Sequence, residues 1–284
     1  MLIINPRSGD SDRDADFWLH GLAGAGMEEP RVVDFLDDDW REAIGRDDRI
    51  LVAGGDGTVS AVAAACAEAD ATLAVLPSGT ANDFARTLGV ADDPQIACRA
   101  AASGRERSID VGTVDDHVFV NVVHVGLGAA TSGAVDEGAK SDWGQLSYLR
   151  TLVEKLGDDR GFEAVIEVDG ERIEGQWLEI GVANGAFYGG GHRIPGAEPD
   201  DGRLDLFGAR PDHAGRLAVE YAKVRLLGPE EVSSEIMEHR RFESCRVTTP
   251  EPQPVTADGE DVGRTPVSLS VRAAALRVLV PDGD

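Results

Sequence analysis

The chain has 284 residues, a length at which one large domain or two moderate ones fold, and two lobes are expected. Acidic residues number 52 against 27 Lys plus Arg, a formal charge of -25, and the lysines are only Lys140, Lys155 and Lys223. This balance excludes the basic patch that a nucleic-acid binder needs for phosphate contacts. The acid excess is spread along the chain, for example at Asp10, Asp12, Asp14, Asp16, Asp37, Asp92, Asp158, Asp200 and Asp282. With 42% hydrophobic residues, such a pattern reads as a folded protein suited to strong salt, where self-repulsion is screened within a few ångströms. Unfolding at low salt is the test of that reading. The three cysteines, Cys66, Cys98 and Cys245, lie far apart with no CxxC pair, so buried thiols in a reducing cytoplasm are expected rather than disulfides or zinc. The start, MLIINPRSGD, has no signal-peptide pattern, and no apolar run approaches the ~20 residues of a membrane span. Any contact with a membrane is therefore expected to be peripheral.

In chain order, Leu2 to Ile4, Arg31 to Val33, Arg49 to Ala53 and Thr72 to Leu76 read as strands between helical patterns, the rhythm of a parallel sheet with crossover helices. Turn chemistry follows the first, third and fourth: Asn5-Pro6-Arg7-Ser8-Gly9, Gly54-Gly55-Asp56-Gly57-Thr58, and Pro77-Ser78-Gly79-Thr80. Ligands of open α/β sheets bind at the carboxyl ends of strands, so these loops converge on one crevice. After about Asp110 the period becomes that of strands: His117 to Val125, Phe162 to Val168, Arg172 to Val182, Arg203 to Gly208, Ser244 to Thr249, Val267 to Val271 and Leu276 to Val280. Hairpin signals such as Val168-Asp169-Gly170-Glu171 predict a largely antiparallel second lobe. One helix is predicted from Gln145 to Leu156, its leucines at core-facing spacing. The expected domains are 1–112, completed by the C-terminal strand 274–284, and 113–273.

The loop Gly54 to Thr58 precedes an apolar helix over Val59 to Ala67. Its glycines allow close backbone approach, so successive N–H groups can form an anion nest at a helix N-terminus without a lysine. Asp56 beside a phosphate is repulsive unless it holds a cation or orients a hydroxyl; the structural reading is a helix cap. The stretch Pro77 to Arg86 repeats the design one strand later, with Asn82 and Asp83 at a helix start as caps or ligands. Two such loops at neighbouring strand ends, with Asn5, Ser8 and Gly9, indicate a nucleotide site. The segment Gly133 to Ser141 fails as a Walker loop because Ala139 separates Gly138 from Lys140, and Gly126-Leu127-Gly128 lacks the third glycine of a dinucleotide fingerprint. The six histidines are scattered.

Taken in order, NPRSG, GGDGT and PSGTANDFAR resemble the motifs of the diacylglycerol kinase catalytic family, soluble lipid kinases that include the ceramide and sphingoid-base kinases. The likeness continues through Ala183 to Gly191, Pro195-Gly196-Ala197, Asp200 to Asp205, Asp258-Gly259-Glu260 and Leu276 to Pro281, nearly the whole chain. It implies an NAD kinase-like α/β lobe, a β-rich antiparallel lobe, and a cleft where ATP and a lipid hydroxyl meet. It also implies nucleotide binding by Asn5, Pro6, Arg7, Ser8, Gly9, Gly54, Gly55, Asp56, Gly57, Thr58, Gly79, Thr80 and Asn82. Asp56, Asp83 and Glu260 would surround a catalytic Mg2+ through water, and Asp258 or Glu260 would take the hydroxyl proton. A further magnesium would sit at Asp201 with backbone oxygens of Glu198 and Arg203, bracing the second lobe. For Asp258 the residues alone also allow a plain Asp-Gly hairpin turn, and for Asn184 to Gly191 either a substrate-side role or a glycine-rich β-loop.

The reading that results is an ATP- and Mg2+-dependent kinase of a diacylglycerol-like lipid alcohol, cytoplasmic and in transient peripheral contact with the membrane. The alternatives are an NAD kinase, which shares the glycine-aspartate loop, and a nucleotide-binding regulator without catalysis. The acceptor, the pathway and the formation of a homodimer stay open at the level of sequence.

Overall fold

The computed structural model describes residues 1–8, 13–91, 93–126, 161–188, 190–194, 196–211 and 238–282. The first lobe starts with four parallel strands, β1 (Leu2–Ile4), β2 (Val32–Asp34), β3 (Arg49–Gly54) and β4 (Thr72–Pro77), in the order β2-β1-β3-β4. β3 and β4 are nearly continuous apolar runs because helices cover both faces of a parallel sheet. Those helices are α1 (Ala15–Gly24), α2 (Asp56–Ala69), α3 (Asp83–Thr87) and α4 (Pro94–Ser103). Asp14 and Asp93 cap α1 and α4 through their carboxylates, and Pro94 sits at the first turn of α4, where its missing N–H costs nothing. Leu2, Ile50, Leu73, Val62, Trp18 and Leu22 are fully buried between these layers.

The first sheet continues into the second lobe. β5 (Arg105–Val114) pairs antiparallel with β6 (His117–Phe119) and, over its whole length, with the last strand of the chain. β7 (Val122–Gly126) leaves for a second sheet, whereas β8 (Phe162–Val168) and β9 (Glu171–Trp177) form a hairpin at the far edge of the first. The remaining strands are β10 (Glu179–Ala183), β11 (Phe187–Tyr188), β12 (His192–Arg193), β13 (Leu204–Ala209), β14 (Glu238–Phe242), β15 (Ser244–Thr248), β16 (Pro254–Ala257), β17 (Glu260–Arg264) and β18 (Val267–Val280). The second sheet is antiparallel in the order β14-β13-β10-β7-β16-β17, and β11-β12 is a short ribbon. Val123, Val125, Ile180, Val182, Leu204 and Leu206 of the second sheet pack on Ile166, Val168, Cys245, Val247 and Leu269 of the first, making a sandwich core separate from that of the α/β lobe. The parallel lobe and the antiparallel lobe have the architecture that the strand patterns predict.

Three strand boundaries differ from the pattern, each for a hydrogen-bonding reason. The run His117 to Val125 breaks at Val120-Asn121, whose N–H groups are given to the Asp258 carboxylate instead of a ladder. Arg172 to Val182 breaks before Leu178, and its halves join different sheets. Val267 to Val271 and Leu276 to Val280 are one strand, kinked where Ala274 adopts φ 51° and donates its N–H to Asp110. β18 runs parallel to β4 at its end, so the chain returns to the first lobe. The predicted helix Gln145 to Leu156 and the segment Gly133 to Ser141 lie outside the described residues. All three cysteines are buried and free; burial pushes the thiols of Cys66 and Cys245 up to about 12, which leaves them unreactive.

Candidate active site

The three loops meet at the carboxyl ends of β1, β3 and β4. Asn5 donates from Nδ2 to Thr58 Oγ1 at 2.8 Å and accepts the Arg7 N–H at 3.0 Å, which turns the first loop against the head of α2. Pro6 and Arg7 are exposed, Ser8 is half-buried, and Gly9 lies outside the described residues. In α2 the ladder begins with Val59 N–H to Gly55 C=O, so the N–H groups of Asp56, Gly57 and Thr58 precede it. Asn82 closes the third loop on itself: its amide accepts Gly79 N–H at 2.9 Å and donates to Gly79 C=O at 2.8 Å, with its own backbone left-handed at φ 53°. Thr80 stays exposed at the rim. A Cβ on Gly79 would stand 2.6 Å from the Cα of Gly55, backbone against backbone. The two loops touch closely enough to require glycine.

Four aspartates fasten this crevice by accepting main-chain N–H groups. Asp56, first in α2, accepts from Asn82 at 2.8 Å and Asp83 at 2.7 Å, and so orders the start of α3. Burial, and then the neighbouring Asp83 charge, push its carboxyl above the ordinary value. Asp83 reaches the second lobe, accepting Gly190 N–H at 2.9 Å and Gly191 N–H at 2.6 Å. This gives the glycine-rich loop Asn184 to Gly191 a role in joining the lobes, reinforced by Ala186 N–H to Thr87 Oγ1. Asp110, 2% exposed, accepts Gly202 N–H and Ala274 N–H.

Asp258 occupies the two-residue hairpin turn between β16 and β17, with φ 48° there and 89° at Gly259, a type I′ turn. Its carboxylate accepts four bonds: Val120 N–H (2.8 Å) and Ser60 Oγ (2.7 Å) on one oxygen, Asn121 N–H (3.0 Å) and Val122 N–H (2.8 Å) on the other. Those are all the lone-pair positions a carboxylate has. Burial pushes its carboxyl up while the four donors pull it down. Ser60 lies one helical turn after Asp56, on the same face, roughly 6 Å away, so the turn is pinned beside the head of α2. Glu260, the first residue of β17, is exposed and pairs across the hairpin with Ala257. The structure thus gathers Asp56, Asp83 and Asp258 at the lobe junction, with Glu260 two residues beyond Asp258 at the start of β17.

Asp201 lies apart, in the loop 198–203, where Glu198 and Arg203 are exposed. Its Oδ1 accepts Arg203 N–H at 2.9 Å, and its Oδ2 is held by the guanidinium of Arg241. A magnesium there would face a fixed positive charge, so these residues do not fit a divalent ion. Among the described residues no three His, Cys, Asp or Glu groups assemble as a metal centre. Asp56 and Asp83 do fit one reached through water, since each keeps acceptor positions beyond its amide bonds.

Several residues at the junction escape a motif search. Ser60 had one signal, its i+4 relation to Asp56. Asp110 had another, a lone carboxylate in the apolar run Ile109-Asp110-Val111. Asn121 and Asn184, 4% and 1% exposed, each keep a side-chain oxygen without a partner; nothing local marks Asn121, whereas Asn184 falls in the stretch Ala183 to Gly191 that the resemblance includes. His124 and Glu179, from β7 and β10, pair at 2.5 Å beside Tyr188 and Phe207, a contact made only by strand pairing.

An α/β lobe with glycine loops at its strand ends, joined to a β-sandwich, defines the NAD kinase-like architecture. Residues 1–114 match the diacylglycerol kinase catalytic domain, and residues 121–280 match the YegS C-terminal NAD kinase beta sandwich-like domain. A probable lipid kinase YegS-like of Pseudomonas aeruginosa is 34% identical over 269 residues, 91% of this chain and 87% of the relative. One of the same name from Stenotrophomonas maltophilia is 30% identical over 298 residues, 99% and 96% of the two chains. The crystal structure of a diacylglycerol kinase from Bacillus anthracis superposes with a TM-score of 0.73 at 24% identity, over 98% of this chain and 95% of the other, a likeness of fold. The chain belongs to the YegS-like, diacylglycerol kinase-related lipid kinase family. No helix among the described residues is long and apolar enough to cross a membrane.

Proposed function

We propose that the protein transfers the γ-phosphoryl group of ATP to the hydroxyl of a diacylglycerol-like lipid. The observation that carries this is the junction itself: glycine loops at the head of α2 meet, within one helical turn, a hairpin that carries two carboxylates from the other lobe. Phosphoryl transfer depends on positioning and on neutralising charge. Asn5 to Gly9, Gly54 to Thr58, Gly79, Thr80 and Asn82 would hold the nucleotide. Asp56, Asp83 and Glu260 would hold magnesium through water, and the ion would neutralise phosphate charge. Between the two candidate bases, geometry favours Glu260: its carboxylate is exposed, whereas that of Asp258 is saturated by four donors and acts as a positioning group. The net charge of -25 opposes docking to anionic lipid, so transient membrane contact is expected through apolar surface and in strong salt, the condition to which the composition points.

The test is transfer of labelled γ-phosphate from ATP with magnesium in concentrated KCl, to a total lipid extract in one tube and to NAD in another. A labelled organic-phase product supports the reading and identifies the acceptor by mass. Labelled NADP would replace it with an NAD kinase, and ATP binding without any transfer would favour a regulator.

The loop contact makes a separate expectation. Gly79→Ala forces the backbones of the second and third loops apart, and overpacking of this kind costs about 1–3 kcal/mol. ATP affinity is expected to fall about tenfold or more, read by titration of the nucleotide. An unchanged dissociation constant would show that the close approach of Gly55 and Gly79 is not part of the nucleotide site.

A further inference from the structure

Before β13 the chain makes the tight loop 198–203, which protein partners hold at both main-chain and side-chain groups. Pro199 C=O accepts Asp110 N–H at 2.7 Å, and Gly202 N–H goes to the Asp110 carboxylate at 2.6 Å. Arg107 on β5 holds Asp200 through Nε at 2.9 Å and Nη2 at 2.7 Å. The carboxylate of Asp201 meets Arg241. Arg241 stands on β14 opposite Asp205 of β13, and its Nε lies 3.7 Å from Asp205 Oδ1. One guanidinium therefore serves two carboxylates, one of which, Asp205, is 1% exposed. His239, two residues before Arg241 and on the same face of β14, approaches the same Asp205 oxygen at 2.6 Å. Burial pushes the Asp205 carboxyl up, and His239 opposes that shift.

We propose that Arg241 is the cation that braces the loop 198–203 in this chain, so that the second lobe keeps its shape without a divalent metal. A guanidinium stays protonated at any working pH and offers five donors in a rigid fork, which suits bridging Asp201 to Asp205. A divalent ion bound to Asp201 would have to displace that fork or sit against its charge. Arginine and metal are alternatives at this position. The inference concerns the stability of the second lobe and does not rest on the reaction assigned to the cleft.

The experiment is thermal melting of the nucleotide-free protein in concentrated KCl, once with EDTA and once with millimolar magnesium. Wild type is expected to melt at the same temperature in both. Arg241→Gln, which leaves Asp201 without its cation and Asp205 with His239 alone, is expected to melt several degrees lower in EDTA and to recover most of the loss in magnesium. Arg241→Lys keeps the charge and is expected to stay indifferent to the metal, so the inference remains testable if the glutamine variant does not fold. A wild-type protein that loses several degrees in EDTA would overturn the proposal, as would an Arg241→Gln protein destabilised equally in both buffers or an Arg241→Lys protein that needs magnesium.

Discussion

Glu260→Gln is expected to lower the rate of phosphoryl transfer by about 10²- to 10⁴-fold, the range a positioned general base supplies, while leaving the melting temperature and the affinity for ATP measured without magnesium where they are. The side chain keeps its size and loses its negative charge together with its capacity to accept a proton. Because Glu260 is exposed and begins β17, no buried bond depends on it. Its location is set by other residues: the turn before it is tied to Ser60, one helical turn from Asp56. The discriminating comparison is Asp258→Asn. An amide cannot accept at all four positions that the carboxylate fills, so this variant is expected to lose melting temperature and transfer together. Normal turnover by Glu260→Gln, or an Asp258→Asn protein of unchanged stability that has lost only transfer, would move the base to Asp258.

The second large effect is on folding. Asp258→Ala strands three backbone N–H groups and the Ser60 hydroxyl at the junction of the lobes. An unsatisfied buried donor costs about 1–3 kcal/mol, and water admitted at the partly exposed turn offsets some of the four. A net loss of at least about 3 kcal/mol is expected, which for a chain of this size lowers the melting temperature by roughly 6 °C or more. Ser60→Ala removes one partner and is expected to cost about 1 kcal/mol. In the double variant the serine change should add almost nothing, because its partner is already gone; full additivity in the cycle would show that the bond contributes no stability. Loss of the clamp also frees the strand break at Val120-Asn121, so ATP affinity should fall along with stability. This combination separates a positioning aspartate from a base.

The described residues contain no lysine, and the aspartates at the junction bind main-chain N–H groups. Asp56, Asp83, Asp110 and Asp258 each take two or more amides. Bonds of this kind survive strong salt better than surface ion pairs, since a buried contact with a neutral donor is little screened. Four of the 52 acidic residues are thus internal scaffolding at the junction rather than surface charge.

Local chemistry was enough for the parallel strands of the first lobe. Apolar runs bounded by glycine loops predict β1, β3 and β4 within a residue or two, because burial on both faces and turn geometry are properties of neighbouring residues. The order NPRSG, GGDGT, PSGTANDFAR likewise marks the crevice, since strand ends of a parallel sheet fall on one side. Sequence also placed Asp56, Asp83 and Asp258 among the residues that matter. It could not say what each does, because a carboxylate's role depends on which donors surround it: Asp258 finds its four on residues 60 and 120–122, and Asp83 finds its two on Gly190 and Gly191. The expected magnesium at Asp201 depended in the same way on Arg241, 40 positions later, which strand pairing between β13 and β14 brings beside it. The charged strand β5 and the break at Val120-Asn121 were hidden for a related reason, their register being set by β18 and Asp258 rather than by their own periodicity. Periodicity and turn residues determine elements locally. The partners of a buried polar group are decided only when distant segments pack.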